Sequence, residues 1–210
     1  MANFPTSIWT TLLSIRENPD RVRDLVVRRY RQPIYDFIRR QNLSHEDAED
    51  LTQEVFAQIC RDGFLERANR RKGKFRTLLL AVSRHIVASF RRHELAAVRD
   101  RRRSVALEDF DIEGEHPDDA VFDDLWVKNL VDLSLRQLEG EPEIAALRLQ
   151  LEGRSYQEIG AAIGKTPTDV TNYIHRAKKK LRQEIERQIR EYCGGDNVDA
   201  EISSLLRSFH

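Results

Sequence analysis

The sequence predicts an all-α chain of two small helical domains joined by an acidic linker, the second domain containing a helix-turn-helix. Three observations carry this. Alternating β-branched patterns are nearly absent, while apolar residues recur at three- and four-residue spacing over most of the chain. Glycine and proline are few, 9 and 6 in 210 residues, and they fall between periodic segments. Charge is segregated although the 35 basic and 35 acidic residues cancel. Residues 43–60 hold five acids and no base, and 61–103 hold fourteen bases and four acids. Residues 108–124 hold nine acids and no base, and 165–190 hold eight bases and three acids. A zero net charge therefore hides two basic blocks, each able to track phosphates.

In chain order, residues 8–15 read as a short first helix broken near Asn18-Pro19. Residues 20–31 read as a second helix, which 33–41 continues or restarts after Pro33. The next helix is better marked. Ser44 is placed to cap it, Asp47 stands three residues on as the capping-box acid, and Leu43 takes the staple position. Ala48, Leu51, Val55 and Ile59 then form one apolar stripe, with the end near Cys60 and Gly63. Residues 67–74 are basic and interrupted by glycine, which predicts a loop. Residues 75–92 return to helix on Leu78, Leu79, Val82, Ile86 and Phe90. From 103 to 119 the periodicity dissolves around Gly114 and Pro117, which predicts the linker.

The second helical block opens near Ala120, with Val121, Leu125, Leu130, Leu133 and Leu138 on one helix. Glu141-Pro142 opens another that stops at Gly153. Two short helices follow. Ser155 and Glu158 form a capping box for the first. Ile159 and Ile163 face inward, and Gly164 supplies a turn that needs positive φ. Thr166 caps the second, Pro167 takes its first position and Asp169 closes another capping box. Val170, Ile174, Ala177 and Leu181 make its buried face. Thr168, Thr171, Asn172, His175, Arg176 and Lys179 make the opposite one. Short polar groups near a helix N-terminus fit the major groove, and basic groups further along fit phosphates.

Three stretches in this order resemble the extracytoplasmic-function sigma factors of bacterial RNA polymerase, over roughly residues 20–189. Asp47-Ala-Glu-Asp-Leu-Thr-Gln-Glu-Val-Phe56 is similar to the family's core-binding helix. Residues 75–92 look like its promoter-melting helix, and residues 155–178 like its second-domain helix-turn-helix. The resemblance implies a sigma factor that binds core RNA polymerase and directs promoter-specific initiation, with promoter DNA as its second partner. It implies polymerase contacts by Asp47, Glu49, Asp50, Gln53 and Glu54 against clamp helices of the large subunit. Asp47, Asp50 and Glu54 lie at i, i+3 and i+7, a like-charged face that gains from a basic partner.

The resemblance also implies that Arg71, Lys72, Lys74 and Arg76 hold the displaced strand and a flipped base of the minus-ten element. Arg84, His85, Ser89, Arg91 and Arg92 would line the duplex side. Thr168, Thr171, Asn172, His175, Arg176 and Lys179 would read the minus-35 element. The acidic linker would thread the polymerase's RNA path. The chain departs from the family's pattern at Leu78, His85 and Ser89, where Trp, Asn and Asp are frequent. The domains expected are a region 2-like domain over 1–102, the linker over 103–119, a region 4-like domain over 120–192 and a tail helix over 193–210. The tail helix carries Val198, Ile202, Leu205, Leu206 and Phe209.

No nucleotide-binding glycine loop, no metal-type Cys/His spacing and no nucleophile–base pair stands out, so neither enzyme activity, cofactor nor metal is expected. Cys60 and Cys193 are far apart and fit a reducing cytoplasm. No basic stretch followed by an apolar core opens the sequence, and no apolar run approaches the roughly 20 residues of a membrane span. The mode of inhibition stays open between an anti-sigma protein, a regulatory kinase and the tail acting as a latch. A helix-turn-helix regulator that ignores the polymerase is the alternative. It accounts for the second domain, but not for an acidic helix followed by a basic one.

Overall fold

The computed structural model describes residues 19–61, 64, 75–95 and 117–190, and every regular element among them is a helix. These are α1 (Pro19–Arg39), α2 (His45–Ile59), α3 (Phe75–Leu95), α4 (Pro117–Gln137), α5 (Pro142–Leu151), α6 (Tyr156–Ile163) and α7 (Pro167–Arg190). The first helix expected, the basic loop over 67–74, most of the linker and the tail lie outside the described residues. The described residues pack into two units divided between Asn129 and Leu130. The sequence reading starts the second domain at residue 120, half a helix earlier. No helix among the described residues is long and apolar enough to cross a membrane.

In the first unit α1, α2 and α3 pack on one another. α1 runs through Pro33 as a single helix. Proline removes one backbone donor and strands the carbonyl four residues earlier, that of Arg29. The Asn129 side-chain amide of α4 donates to that carbonyl at 2.8 Å, so the defect is satisfied from outside the helix. α1 ends in a turn where Asn42 takes φ 59, a left-handed conformation that asparagine tolerates. Ser44 then caps α2 by accepting the Asp47 amide at 3.0 Å. The expected stripe of Ala48, Leu51, Val55 and Ile59 is buried, against Ile34, Phe37 and Ile38 of α1 and Leu79, Val82 and Ile86 of α3. Tyr30 meets Phe75 edge to face at 5.5 Å.

α4 begins three residues inside the expected linker. Pro117 presets the first turn, and Asp118 and Asp119 sit at the positive end of the helix dipole. An acidic stretch that reads as unpatterned in composition is thus a helix start. The core residues of α4 include Phe122, Trp126 and Leu135 as well as the expected Leu125 and Leu130, while Val121, Leu133 and Leu138 are half-buried.

The second unit is built from the end of α4 with α5, α6 and α7. Its core is Leu135, Ile144, Ala146, Leu147, Ile159, Val170, Ile174 and Ala177, with Ile163 and Leu181 at the margin. Gln188 of α7 donates to the Ser134 hydroxyl of α4 at 3.1 Å. Lys180 of α7 bridges Glu141 and Glu143 at the start of α5, the latter at 3.1 Å. Those contacts raise the Lys180 pKa above its ordinary value, the Glu141 and then the Glu143 hydrogen bond being the main causes.

Candidate nucleic-acid and partner interfaces

The helix-turn-helix forms from the signals its sequence carries. Ser155 accepts the Glu158 amide at 3.3 Å, and the Glu158 carboxylate accepts the Ser155 amide at 2.8 Å. This closes the capping box of α6. Thr166 and Asp169 repeat the arrangement on α7, with Asp169 accepting the Thr166 hydroxyl at 2.7 Å and its amide at 3.3 Å. Both carboxylates are held below the usual range. For Glu158 the main cause is the Ser155 amide, and for Asp169 the Thr166 hydroxyl. Gly164 between the helices has φ 68, where a side chain would be strained.

A second glycine matters as much and the sequence reading passed over it. A Cβ on Gly160 would lie 2.5 Å from the Lys165 carbonyl oxygen. Only glycine lets the turn fold back so closely on α6, and the Lys165 amide closes the turn by donating to the Gly160 carbonyl at 2.9 Å. Glycine in mid-helix, five residues before a basic turn residue, was the available signal. Lys165 itself lies 5.8 Å over the Tyr173 ring of α7.

The outer face of α7 is open. Thr168, Thr171, Asn172, His175, Arg176 and Lys179 are all exposed, and none makes an ion pair among the described residues. Their opposite face, Val170, Ile174 and Ala177, is in the core. Polar reach at the N-terminal end and positive charge further along therefore sit on one face of a helix anchored by its other face. That is the geometry a major-groove helix requires.

On α2 the expected acidic residues divide. Asp50, Gln53 and Glu54 are exposed together, and neither acid has an ion pair among the described residues. Asp47 is half-buried, bonded to Ser44. Glu49 points toward α1 and pairs with Arg31. The open acidic edge is thus narrower than the five residues named from sequence.

The basic residues of the first unit divide more sharply. Arg71, Lys72 and Lys74 lie outside the described residues. Arg76 is only 7% exposed. Its guanidinium is 2.7 Å from the Asp123 carboxylate and 4.6 Å over the Trp126 ring, both on α4. It therefore does not lie on an open basic surface, because an acid and an aromatic one helical turn apart enclose it. Arg84 faces Asp119 of α4 at 3.6 Å. His85 and Ser89 are half-buried, while Arg91 and Arg92 are exposed, Arg91 donating to the Gln41 carbonyl at 2.6 Å. Leu78, where the resembling family often has Trp, is a core residue, so that departure changes packing. No group of three or more potential metal ligands occurs among the described residues.

Comparison with known proteins agrees with this division. Residues 26–96 match the family described as sigma-70 region 2, and residues 133–181 match sigma-70, region 4. The chain is 30% identical over 171 residues to the ECF RNA polymerase sigma factor SigE of Mycolicibacterium smegmatis, covering 80% of this chain. It spans 63% of that protein's length. It is 31% identical over 144 residues to a probable RNA polymerase sigma-C factor of Mycobacterium bovis and to the ECF sigma factor SigC of Mycobacterium tuberculosis. In each case 66% of this chain and 70% of the relative are covered. With region 2 on an acidic and a basic helix, and region 4 on a helix-turn-helix with an open polar face, the chain belongs to the extracytoplasmic-function subfamily of RNA polymerase sigma factors.

Proposed function

We propose that this chain binds core RNA polymerase and directs promoter-specific transcription initiation. The observation that carries it is the pairing of an open acidic edge on α2 with an open recognition face on α7, in the order of sigma regions 2 and 4. Asp50, Gln53 and Glu54, with Asp47 and Glu49 at the margin, form the polymerase contact. An unneutralised acidic edge on a rigid helix favours a basic partner helix and steers the encounter. Arg84, His85, Ser89, Arg91 and Arg92 of α3, with Arg71, Lys72, Lys74 and Arg76 at its start, hold minus-ten DNA. Thr168, Thr171, Asn172 and His175 read minus-35 bases, and Arg176 and Lys179 set the register on phosphates. The region 2-like domain takes in the first half of α4, and the region 4-like domain begins at Leu130. The protein works as a non-enzyme in the cytoplasm, under an anti-sigma factor or a regulatory kinase.

Run-off transcription with purified core polymerase and a fragmented genomic template tests this, with Asp50→Ala/Glu54→Ala as the comparison. Discrete transcripts with the wild type, and about tenfold weaker core binding by the variant, are expected. Absence of both transcripts and core binding would replace this reading with that of a helix-turn-helix regulator.

A further inference from the structure

The first half of α4 presents one continuous face to the first unit. Asp119, Phe122, Asp123, Trp126 and Asn129 recur at three- and four-residue spacing, which places them on one side of the helix. Each has a contact there. Phe122 meets Phe37 of α1 edge to face at 6.0 Å. Asn129 fills the carbonyl that Pro33 strands in α1. Trp126 and Asp123 enclose Arg76 of α3, and Asp119 faces Arg84 two turns further along α3.

The seat has an apolar end and an ionic end. Phe122, Trp126 and Asn129 anchor the helix by burial and one backbone hydrogen bond. Asp119 and Asp123 anchor nothing apolar. They put two carboxylates against two guanidiniums of α3. The Arg84–Asp119 contact is loose, and the terminal nitrogens of Arg84 are buried without a hydrogen-bond acceptor among the described residues. A buried guanidinium held that way gains from a better-fitting acceptor, and a phosphate oxygen pair offers a bidentate one.

From this arrangement we infer that the acidic start of α4 is a built-in strap that occupies Arg76 and Arg84 in place of the DNA backbone and yields them when DNA arrives. The inference rests on the reading of α3 as a DNA-binding helix and adds a regulatory element to it. The strap makes the free protein a weak DNA binder without abolishing its affinity. Arg91 and Arg92, both exposed, remain to make the first contact.

The test measures binding of the full chain to a fluorescein-labelled forked duplex of mixed sequence, which offers both duplex and displaced strand, at fixed low salt. Asp119→Asn/Asp123→Asn is expected to bind about tenfold more tightly. Asp124→Asn/Asp132→Asn removes the same charge from exposed positions on the same helix and is expected to gain about threefold at most, from long-range charge alone. Equal gains in the two double variants would overturn the strap. Arg91→Ala/Arg92→Ala tests the underlying reading separately. If it fails to weaken the wild type, α3 is not the DNA face. If it weakens binding while the Asp119/Asp123 variant gains nothing, the strap alone is wrong. Hydrogen exchange on the wild type needs no variant to fold. Saturating oligonucleotide is expected to deprotect the amides of residues 119–126, and unchanged protection there would also overturn the inference.

Discussion

α3 and α7 are both long basic helices, and the chain treats them differently. On α7 every polar residue expected on the reading face is exposed, and the helix is held entirely from behind by Val170, Ile174 and Ala177. On α3 the first basic residue is enclosed by α4, the next faces an α4 acid, and the face opens only at Arg91 and Arg92. The difference lies in what is nearby in sequence. α7 is preceded by a tight turn and a short helix whose outward face stops at Gly164. α3 is followed, after the charge-rich stretch 96–116, by a helix start that carries acids and aromatics at matching intervals. A basic face on a helix thus becomes an open surface only where no complementary stripe exists in the same chain.

The largest expected effect removes the anchor that covers α3. Phe122 is fully buried and meets Phe37 edge to face. Phe122→Ala is expected to lower the stability of the first unit by about 3 kcal/mol, the lower part of the range for a buried phenylalanine. Denaturant unfolding followed through Trp126 reads it. A loss under about 1 kcal/mol would mean that α4 is seated by its charges rather than its ring, and the contrast between anchor and strap would collapse.

The next substitution sharpens the α7 side. Gly160→Ala should gain about 1 kcal/mol from helix propensity if only α6 mattered. Against the Lys165 carbonyl at 2.5 Å the turn must move, and overpacking of this kind typically costs about 1–3 kcal/mol. A net loss of stability is expected, with weaker DNA binding because α7 starts at that turn. Net stabilisation would show that the turn has slack and that the recognition helix is not fixed by this contact.

These two positions also show what a single sequence conveys. The apolar stripe of α2, the two capping boxes and the Gly164 turn were legible because each is local: spacing and side-chain chemistry within one turn decide them. The open face of α7 was legible for the same reason. The fate of Arg76 was not, because Asp123 lies forty-seven positions away and a Coulombic partner has no periodicity of its own. The ion pair of Glu49 was hidden likewise, as Arg31 reaches it from the preceding helix. Pro33 left open whether α1 continues or restarts, and the distant Asn129 amide satisfies the carbonyl that its continuation strands. Two missed features had a local signal, Gly160 in mid-helix and the start of α4. Pro117 followed by two acids is a helix opening, and the acidic run around it obscured that.

A smaller effect separates the caps from the core. Thr166→Ala removes the acceptor for the Asp169 amide and the hydroxyl donor to the Asp169 carboxylate, leaving that carboxylate only the backbone amide of residue 166. About 1 kcal/mol of stability should go with it, and Thr166→Ser should restore most of it. Equal loss with serine would point to the threonine methyl rather than its hydroxyl.

The smallest effect is on pH, and it concerns the carboxylates of the second unit. Glu158 and Asp169 are held below the usual carboxylate range by their caps, and Glu143 by its own backbone amide and then Lys180. A carboxylate whose folded pKa lies below its unfolded value stabilises the fold above that unfolded value, near pH 4. That contribution is lost as pH falls through the lower, folded value, because protonation removes the acceptor of the cap hydrogen bond. The second unit, which holds all three groups, is therefore expected to lose melting temperature between about pH 5 and about pH 3 more steeply than its Ser155→Ala/Thr166→Ala variant. NMR-followed melts of α6 and α7 signals in the full chain separate this from events in the first unit. Parallel pH profiles in wild type and variant would show that the caps hold their carboxylates no more firmly than water does. The second unit's response to acid would then arise from overall charge repulsion instead.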